Sequence, residues 1–355
     1  MMYRAARIAM AALIAASAIF SAPHLAAASP AAVPDNSLLS PPGGFEKPID
    51  LDIGLHIVNI AAIDEVAQQF NIDAYFHLRW KNPRLAYSPK GPDDQERVFQ
   101  PGEVWIPKIE ILNGAAPRKT YDISIRATPD GTVYYAERLH AVISSRFRLE
   151  RFPFDSQTLL VLIHPFLVDK PRLVFHLDRN AAWTASEFTS YTSLAQWQLK
   201  GAKAKVDVAP TYGGMTVPEF RFEISVQRHS SFYLWKVFLP LTLMVVLSWA
   251  AFWISPDDLQ SQLQVGVTTI LTVIAFAFAI SATMPRVPYL TYIDGFFLQC
   301  YIFVFIAILE LMIVHVAHRS DRSRDLGLRI RRMSRFIVPI AFAISNIWLA
   351  TRFLG

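Results

Sequence analysis

The sequence is nearly free of cysteine, and this limits the chemistry that the protein can use. Its 355 residues include a single cysteine, Cys300, which lies inside a long apolar segment. One cysteine cannot form an intrachain disulfide or a cysteine-based metal site. The nine histidines are scattered without metal-ligand spacing. We therefore expect no metal and no cofactor, and any domain outside a membrane must be stabilised by its hydrophobic core.

The motifs of the common enzyme classes are also missing. The sequence contains no GxSxG, no HExxH and no glycine-rich phosphate loop. Its net charge of +5 is mild, and its one arginine-rich stretch, residues 319–335, has no interleaved aromatic residues. These absences argue against an enzyme and against nucleic acid as a partner.

Long apolar segments dominate the last third of the chain. They cover residues 232–254, 259–284, 293–316 and 336–354, and the third is most apolar from Phe296 onward. Each has about the 20 residues that a helix needs to cross a bilayer. Four such segments predict a multi-pass membrane protein surrounded by lipid.

Two signals indicate the orientation of the chain in the membrane. In residues 1–28 a basic start precedes an apolar core and a small-residue cleavage site, as in a secretory signal peptide. A fifth span is the alternative, but this apolar core is short. Residues 317–335 are predicted to form a basic cytoplasmic loop. Its arginines are Arg319, Arg322, Arg324, Arg329, Arg331, Arg332 and Arg335. Both signals place the long N-terminal region on the outer side of the membrane.

Residues 48–231 show the alternation of apolar and polar side chains that is typical of strands. In Phe70–Trp80 the even positions are apolar and the odd ones mostly polar, which predicts one buried and one solvated face. The further strand-like runs are Leu51–Val58, Val133–Leu149, Thr158–Phe166 and Phe220–Val226. Turn signals at residues 129–131 and 212–214 separate them. The pattern predicts an antiparallel β-sandwich, preceded by a flexible segment over residues 29–47.

The hexapeptide Phe152–Gln157, with the sequence FPFDSQ, resembles the signature loop of the pentameric ligand-gated ion channels, the Cys-loop receptor family. Eukaryotic members flank this loop with two cysteines. Ser145 and Leu159 stand at those positions here, which resembles the prokaryotic branch that lacks the disulfide. Three more segments resemble family motifs in the same order along the chain: Val104–Pro107, Pro129–Val133 and Pro285–Tyr292.

This resemblance extends from about residue 48 to the end of the chain and implies an architecture. The expected fold is mixed, with an immunoglobulin-like all-β sandwich over residues 48–231 and a four-helix transmembrane bundle over residues 232–355. Five identical copies would form a homopentamer around a central axis, with the second helix lining the pore. The amine-gated and proton-gated bacterial members are most similar in character, so we expect a bacterial inner membrane and a periplasmic N-terminal domain.

The second span carries a stripe of residues at helical spacing. Its members follow one another by four, three, four, three and four positions, which places them on one helix face: Gln264, Thr268, Leu271, Ala275, Phe278 and Ala282. Rings of glutamine and threonine would hydrate ions, whereas the apolar rings from Leu271 outward could close the path by dewetting. Ordinary helix packing is the alternative, since any apolar helix contains such stripes.

Charge selectivity should depend on the residues just before this stripe. Cation-selective relatives carry an acidic ring at the cytoplasmic mouth, but Gln260, Ser261 and Gln262 align there. Asp257 and Asp258 lie just upstream and would either supply such a ring or cap the helix. We expect conduction of monovalent cations.

The resemblance also implies a ligand site between neighbouring outer domains, where a box of aromatic side chains attracts an ammonium group. The positions that match are Tyr75, Glu110, His164, Phe166 and Tyr212. His164 stands where the amine-gated relatives have glutamate. A histidine also fits proton sensing, because it titrates near neutral pH. A purely structural role for His164 is the alternative.

A second set of residues is implied at the junction between the outer domain and the spans. It comprises Asp64, Glu65, Asp155, Arg228, Pro288 and Tyr289. An arginine between carboxylates would form charge-assisted hydrogen bonds, and the two linker residues would receive the movement of the outer domain. Structural bridging without switching is the alternative.

These observations predict a channel opened by a small molecule, with amines as one candidate class. Protons are an alternative trigger within the same family. A non-conducting periplasmic receptor anchored in the membrane is an alternative of a different class.

Overall fold

Ten strands form the N-terminal part of the protein in the computed structural model. The structure describes residues 36–166, 172–178, 194–210, 214, 216–282, 284, 286–320 and 322–354. Within these ranges the strands are β1 Ile49–Asp64, β2 Gln69–Lys81, β3 Arg97–Phe99, β4 Ile109–Ile111, β5 Lys119–Ala127, β6 Thr132–Ser144, β7 Ser156–Pro165, β8 Leu173–Leu177, β9 Trp197–Pro210 and β10 Thr216–Arg228.

The strands form two sheets that share one core. The six-stranded sheet has the order β3-β5-β6-β2-β1-β8, and the four-stranded sheet has the order β4-β7-β10-β9. In β2 every even residue from Phe70 to Trp80 is buried and the odd residues are not, so the alternation in the sequence marks the core face. The predicted sandwich is confirmed. One pairing departs from the antiparallel expectation, because β8 pairs with β1 in parallel at the sheet edge.

The strand predicted over Val133–Leu149 is shorter in the structure and ends at Ser144. Beyond it, Gln68 replaces the neighbouring strand as hydrogen-bond partner. Ser145 N–H donates to Gln68 O at 2.9 Å, and Phe147 N–H donates to Gln68 Oε1 at 3.0 Å. The chain therefore leaves the sheet here and runs toward the membrane-spanning part.

The predicted turn at residues 129–131 joins β5 to β6. Gly131 has a φ of 81°, a left-handed conformation that side chains disfavour. A Cβ at this position would lie 2.7 Å from the carbonyl oxygen of Asn82. Asn82 N–H donates to Gly131 O at 2.8 Å, so glycine permits a close contact with the segment that follows β2.

Four helices follow the sandwich and are long and apolar enough to cross a membrane. They are α1 Ser231–Trp253, α2 Leu259–Ser281, α3 Tyr292–His318 and α4 Arg324–Leu354. The predicted multi-pass membrane protein is confirmed. In α1 the residues Leu234–Phe238 are π-helical, and Leu239 N–H donates to Leu234 O. This wide turn lies directly before Pro240, whose ring nitrogen has no hydrogen to donate to the preceding turn.

Two helices have an end that differs by more than two residues from the hydropathy prediction. α4 begins at Arg324 rather than at residue 336, so most of the predicted loop 317–335 is helical. Hydropathy detects the part of a helix that fits lipid, whereas the backbone can remain helical through charged residues. Arg331 is buried within this part of α4, where its Nε donates to Phe252 O at 2.8 Å. α2 ends at Ser281 rather than at residue 284.

Candidate functional site

α2 presents the predicted stripe on an open face. All six stripe residues are exposed in the single chain, Leu271 to 59% and Phe278 to 73%. The residues of α2 that are buried against the other helices are Gln262, Gly266, Thr269 and Val273. Gly266 lets α2 approach α3 closely, since a Cβ there would lie 2.6 Å from Cγ1 of Ile308. The stripe therefore lies on a face of α2 that the other three helices do not cover.

Asp257 and Asp258 precede α2 and have different surroundings. Asp258 is the N-cap, and its Oδ1 accepts the Ser261 N–H at 3.1 Å. The hydrogen bonds from Ser261 lower the pKa of Asp258. Asp257 is exposed, and its Oδ1 lies 3.4 Å from Nε2 of His318 at the end of α3. Asp258 is thus a helix cap, and Asp257 leaves a carboxylate exposed beside the N-terminal end of α2.

The end of α1 and the loop that joins it to α2 are held by side chains from the other three helices. Arg331 of α4 donates to Phe252 O at 2.8 Å, and Gln262 of α2 donates to Ser255 O at 2.6 Å. Two further contacts are Arg335 Nη2 to Phe252 O at 3.1 Å and His315 Nδ1 to Pro256 O at 2.8 Å. These contacts satisfy carbonyl groups that a helix C-terminus leaves unpaired. They fix the loop that leads into α2.

Three of the predicted ligand residues lie at one end of the four-stranded sheet. Glu110 on β4 is the register partner of His164 on β7. Glu110 is exposed, His164 is buried, and Phe166 is 45% exposed just after β7. His164 Nε2 lies 2.8 Å from Oε2 of Glu219 on β10. The structure therefore brings a carboxylate to the histidine that replaces the glutamate of the amine-gated relatives.

Glu219 is a residue that sequence reasoning missed. It is buried, and its Oε1 accepts the Nη2 hydrogen of Arg221 at 2.9 Å. Burial opposes ionisation, but the hydrogen bonds from His164 and Arg221 outweigh it and lower the pKa of Glu219. The sequence offers one signal for Glu219, because this acid stands within the otherwise apolar run Val217–Phe220. An acid that is buried with such neighbours needs a partner. The identity of that partner depends on the pairing of β7 with β10.

Tyr75 belongs to the other sheet, on the solvated face of β2. Its ring centroid lies 6.0 Å from that of His56 and 6.3 Å from that of His77. The guanidinium carbon of Arg138 lies 5.9 Å from the Tyr75 ring centroid. Burial lowers the pKa of His77, although the charge of Asp178 opposes this shift. A single subunit thus carries Tyr75 and the group around Glu110 on different sheets.

Tyr212, the remaining ligand prediction, lies outside the residues that the structure describes.

At the junction, Arg228 at the end of β10 binds two carboxylates. Its Nε donates to Asp155 Oδ1 at 2.8 Å, and its Nη1 donates to Glu65 Oε1 at 2.8 Å. Asp64, the other predicted acid, accepts the Ala67 N–H at 2.8 Å and closes the turn after β1. Burial alone would lower the pKa of Arg228, but Asp155 and Glu65 together raise it. One positive charge therefore connects the β1–β2 turn, the FPFDSQ loop and the start of α1.

Aromatic rings and an amide complete the surroundings of Arg228, and sequence reasoning assigned none of them. The ring centroids of Trp197 and Phe152 lie 4.1 and 4.7 Å from its guanidinium carbon. Gln157 Nε2 donates to Asp155 Oδ2 at 2.6 Å. Both oxygens of Asp155 are thus hydrogen-bonded, which fixes the orientation of the carboxylate.

The linker between α2 and α3 contacts the FPFDSQ side of the outer domain through hydrogen bonds. Leu149 N–H donates to the hydroxyl oxygen of Tyr289 at 3.2 Å, and Tyr292 N–H donates to Glu150 O at 2.9 Å. Pro288, beside Tyr289, is exposed. These bonds connect the segment before the FPFDSQ loop to the linker and to the start of α3.

Comparison with known sequences gives two family matches. Residues 36–230 match the neurotransmitter-gated ion-channel ligand binding domain, and residues 237–339 match the neurotransmitter-gated ion-channel transmembrane region. The first match covers the sandwich and the second covers most of the four helices. Both confirm the resemblance found in the sequence.

Two relatives illustrate the range of similar proteins. A proton-gated ion channel of Gloeobacter violaceus is 27% identical over 89% of this chain and 86% of its own length. A gamma-aminobutyric acid receptor subunit beta-4 of Gallus gallus is 28% identical over 81% of this chain and 59% of its own length. These proteins are channels and receptors rather than enzymes. With the sandwich, the four spans and both domain matches in place, the chain belongs to the neurotransmitter-gated ion-channel family of pentameric ligand-gated channels.

Proposed function

We propose that five copies of this chain form a ligand-gated channel in a bacterial inner membrane, with the β-sandwich on the periplasmic side. The observation that carries this proposal is the α2 stripe, which is graded from polar to apolar and lies on a face that the other helices leave open. A membrane anchor needs no such face, whereas a pore does. In the closed state the Leu271 ring would exclude water from the path.

Monovalent cations are the proposed permeant ions. Asp257 is exposed beside the inner end of α2, and five copies would place a ring of carboxylates at the cytoplasmic mouth. Such a ring raises the local cation concentration, and Gln264 and Thr268 would then replace part of the ion's hydration. A reversal potential measured in a KCl gradient tests this proposal. Asp257→Asn should shift the reversal potential toward zero. A reversal potential close to the equilibrium potential of chloride would contradict cation selectivity.

A small amine is the proposed agonist class. Glu110 and Phe166 are exposed at one end of the four-stranded sheet, and Tyr75 is exposed on the other sheet. Neighbouring subunits can bring the two sets together around an ammonium group, and each cation–π contact is worth about 0.5–2 kcal/mol. Glu110→Gln should weaken the amine response at least tenfold, whereas Glu96→Gln, at an exposed acid that pairs with Arg126, should leave it unchanged.

Protons are the second candidate trigger, supported by the pair of His164 and Glu219. Both side chains are buried and in direct contact at 2.8 Å, so a change in charge on either one alters a site next to Glu110. The relative from Gloeobacter violaceus is itself described as a proton-gated ion channel. Acid-evoked current without added amine, abolished by His164→Gln, would favour protons over amines.

Current through planar bilayers that contain the purified protein is the primary test. We would first step the pH and then add a panel of small amines. Current that follows either stimulus supports the channel and identifies its trigger. If both stimuli fail, Leu271→Ala distinguishes a channel with another agonist from a non-conducting receptor. Widening the apolar ring should open a true pore without any agonist. Silence of this variant in correctly assembled pentamers would instead support the non-conducting receptor.

A further inference from the structure

A cavity of about 840 Å³ lies between the outer domain and the outer end of α2. Its walls come from the β1–β2 turn, the segment after β6, the end of α2 and the α2–α3 linker. Tyr289 and Ala282 both line it. The cavity therefore borders the proposed coupling path and the outer end of the pore stripe at once.

The cavity is lined by an excess of positive charge. Arg146, Arg148 and Arg286 contribute three guanidinium groups, and Glu150 contributes the single carboxylate. Arg146, Arg148 and Glu150 are exposed, whereas Phe147 and Leu149 between them are buried. The fold thus directs the two arginines of this segment to the side where Arg286 enters from the linker.

These three arginines differ from five arginines of the outer domain that are paired with acids. Arg79, Arg118, Arg126, Arg221 and Arg228 each form a salt bridge with an acid. Within the described part of the chain, no carboxylate lies within salt-bridge distance of Arg146, Arg148 or Arg286. Guanidinium groups that line one cavity and have no salt-bridged acid are matched to an external anion, because their planar N–H forks bind carboxylate, sulfate and phosphate oxygens in pairs.

We infer that this cavity binds an anionic group that carries carboxylate, sulfate or phosphate oxygens. The group can belong to a free anion or to the headgroup of a phospholipid, because the cavity lies where the spans end. Bound there, it neutralises positive charge beside the outer end of the pore and connects the α2–α3 linker to the outer domain. Occupancy should therefore favour cation entry and stabilise the junction.

Binding is tested without current, so the result is independent of the proposed channel activity. Sodium sulfate is titrated into the purified pentamer in an uncharged detergent, with sodium chloride of equal ionic strength as the reference. Calorimetry and the thermal unfolding midpoint are the readouts. We expect saturable heat and a saturable rise of the midpoint in sulfate only. A rise that never saturates, with no heat of binding, is the general salting-out effect of sulfate and overturns the inference.

Charge variants locate the site. Arg146→Gln, Arg148→Gln and Arg286→Gln should each weaken sulfate binding about tenfold, as expected for one lost charge-assisted hydrogen bond. Glu150→Gln should strengthen binding, because it removes the one repulsive charge. Arg126→Gln, at an exposed arginine paired with Glu96, is the matched control and should bind as the wild type does. Equal binding by all variants overturns the assignment to this cavity.

Lipid discs separate the two sources of the anion. In discs of phosphatidylcholine, sulfate should bind as in detergent. If a lipid headgroup is the natural occupant, discs of phosphatidylglycerol should abolish sulfate binding to the wild type. If a free anion is the occupant, sulfate should bind equally in both discs. Either result supports an anion site, whereas absence of sulfate binding in phosphatidylcholine discs contradicts it.

Discussion

Arg228 and Asp155 form a doubly hydrogen-bonded ion pair at the membrane end of the sandwich. Arg228 Nε donates to Oδ1 at 2.8 Å, and Nη2 donates to Oδ2 at 3.3 Å. The two side chains are only 1% and 2% exposed. Because both charges are buried, each depends on the other, and the pair joins the last strand to the loop that faces the helices.

Removing the acid of this pair should be strongly destabilising. Asp155→Ala leaves the guanidinium of Arg228 buried with Glu65 alone, which we expect to lower the free energy of unfolding by about 3–5 kcal/mol. Glu65→Gln keeps a hydrogen-bond acceptor at a site that is 18% exposed and should have a smaller effect. Denaturant unfolding of the detergent-solubilised protein measures both. Equal losses would contradict a dominant role for Asp155.

The stability of the outer domain should depend on pH through Glu219. Its pKa is lowered in the folded protein from the usual value of 4.5, so its stabilising effect is present above pH 4.5 and is lost as the pH falls through the folded pKa. Glu219→Gln should reduce this acid sensitivity. The thermal unfolding midpoint, recorded from neutral pH down to about pH 3 for both proteins, measures the effect. Parallel curves would mean that other groups dominate.

Cysteine accessibility should separate the two faces of α2 at adjacent positions. Thr268 is exposed and Thr269 is 6% exposed in the single chain. The only native cysteine, Cys300, is fully buried, so the background reaction should be low. Thr268→Cys should react with a water-soluble methanethiosulfonate reagent and alter the current, whereas Thr269→Cys should not. If Thr269→Cys reacted and Thr268→Cys did not, the pore would lie on another face of α2.

A side chain at Gly131 should destabilise the β5–β6 hairpin. Gly131 and Gly102 both have positive φ angles, 81° and 94°. A Cβ at Gly131 meets Asn82 O at 2.7 Å, whereas at Gly102 it meets no heavy atom within 4 Å. Gly102→Ala should cost about 1–2 kcal/mol from backbone conformation alone, and Gly131→Ala should cost more. Thermal unfolding compares the two variants, and equal losses would mean that Asn82 moves aside freely.

The N-terminal part of α4 offers a comparison of neighbouring arginines. Arg331 is 4% exposed and donates to the carbonyls of Phe252 and Ala251, whereas Arg332 is exposed. Arg331→Met should lower the free energy of unfolding by about 1–3 kcal/mol, because it removes two hydrogen bonds that a buried charged donor makes to these carbonyls. Arg332→Met should change it by no more than about 0.5 kcal/mol. Denaturant unfolding measures both, and similar values would exclude a structural role for the Arg331 contact.

The sequence alone determined the number of spans and the type of the outer domain. Hydrophobic length sets the first, because a bilayer needs about 20 apolar residues per helix. Alternation sets the second, since in β2 the same even positions that are apolar are buried. The motif around Asp155 identified the family, and the spacing of the α2 stripe identified a face that the fold leaves open.

Tertiary structure decided the contacts between distant residues. Glu219 reaches His164 from 55 positions away, and Glu65 rather than Asp64 reaches Arg228 from 163 positions away. Strand pairing and the direction of each side chain set these contacts, and local patterns carry neither. The early start of α4 has the same origin, since Arg331 is buried in the bundle where the carbonyls at the end of α1 accept its hydrogen bonds. A charge becomes compatible with burial through a partner, and only the folded chain supplies that partner.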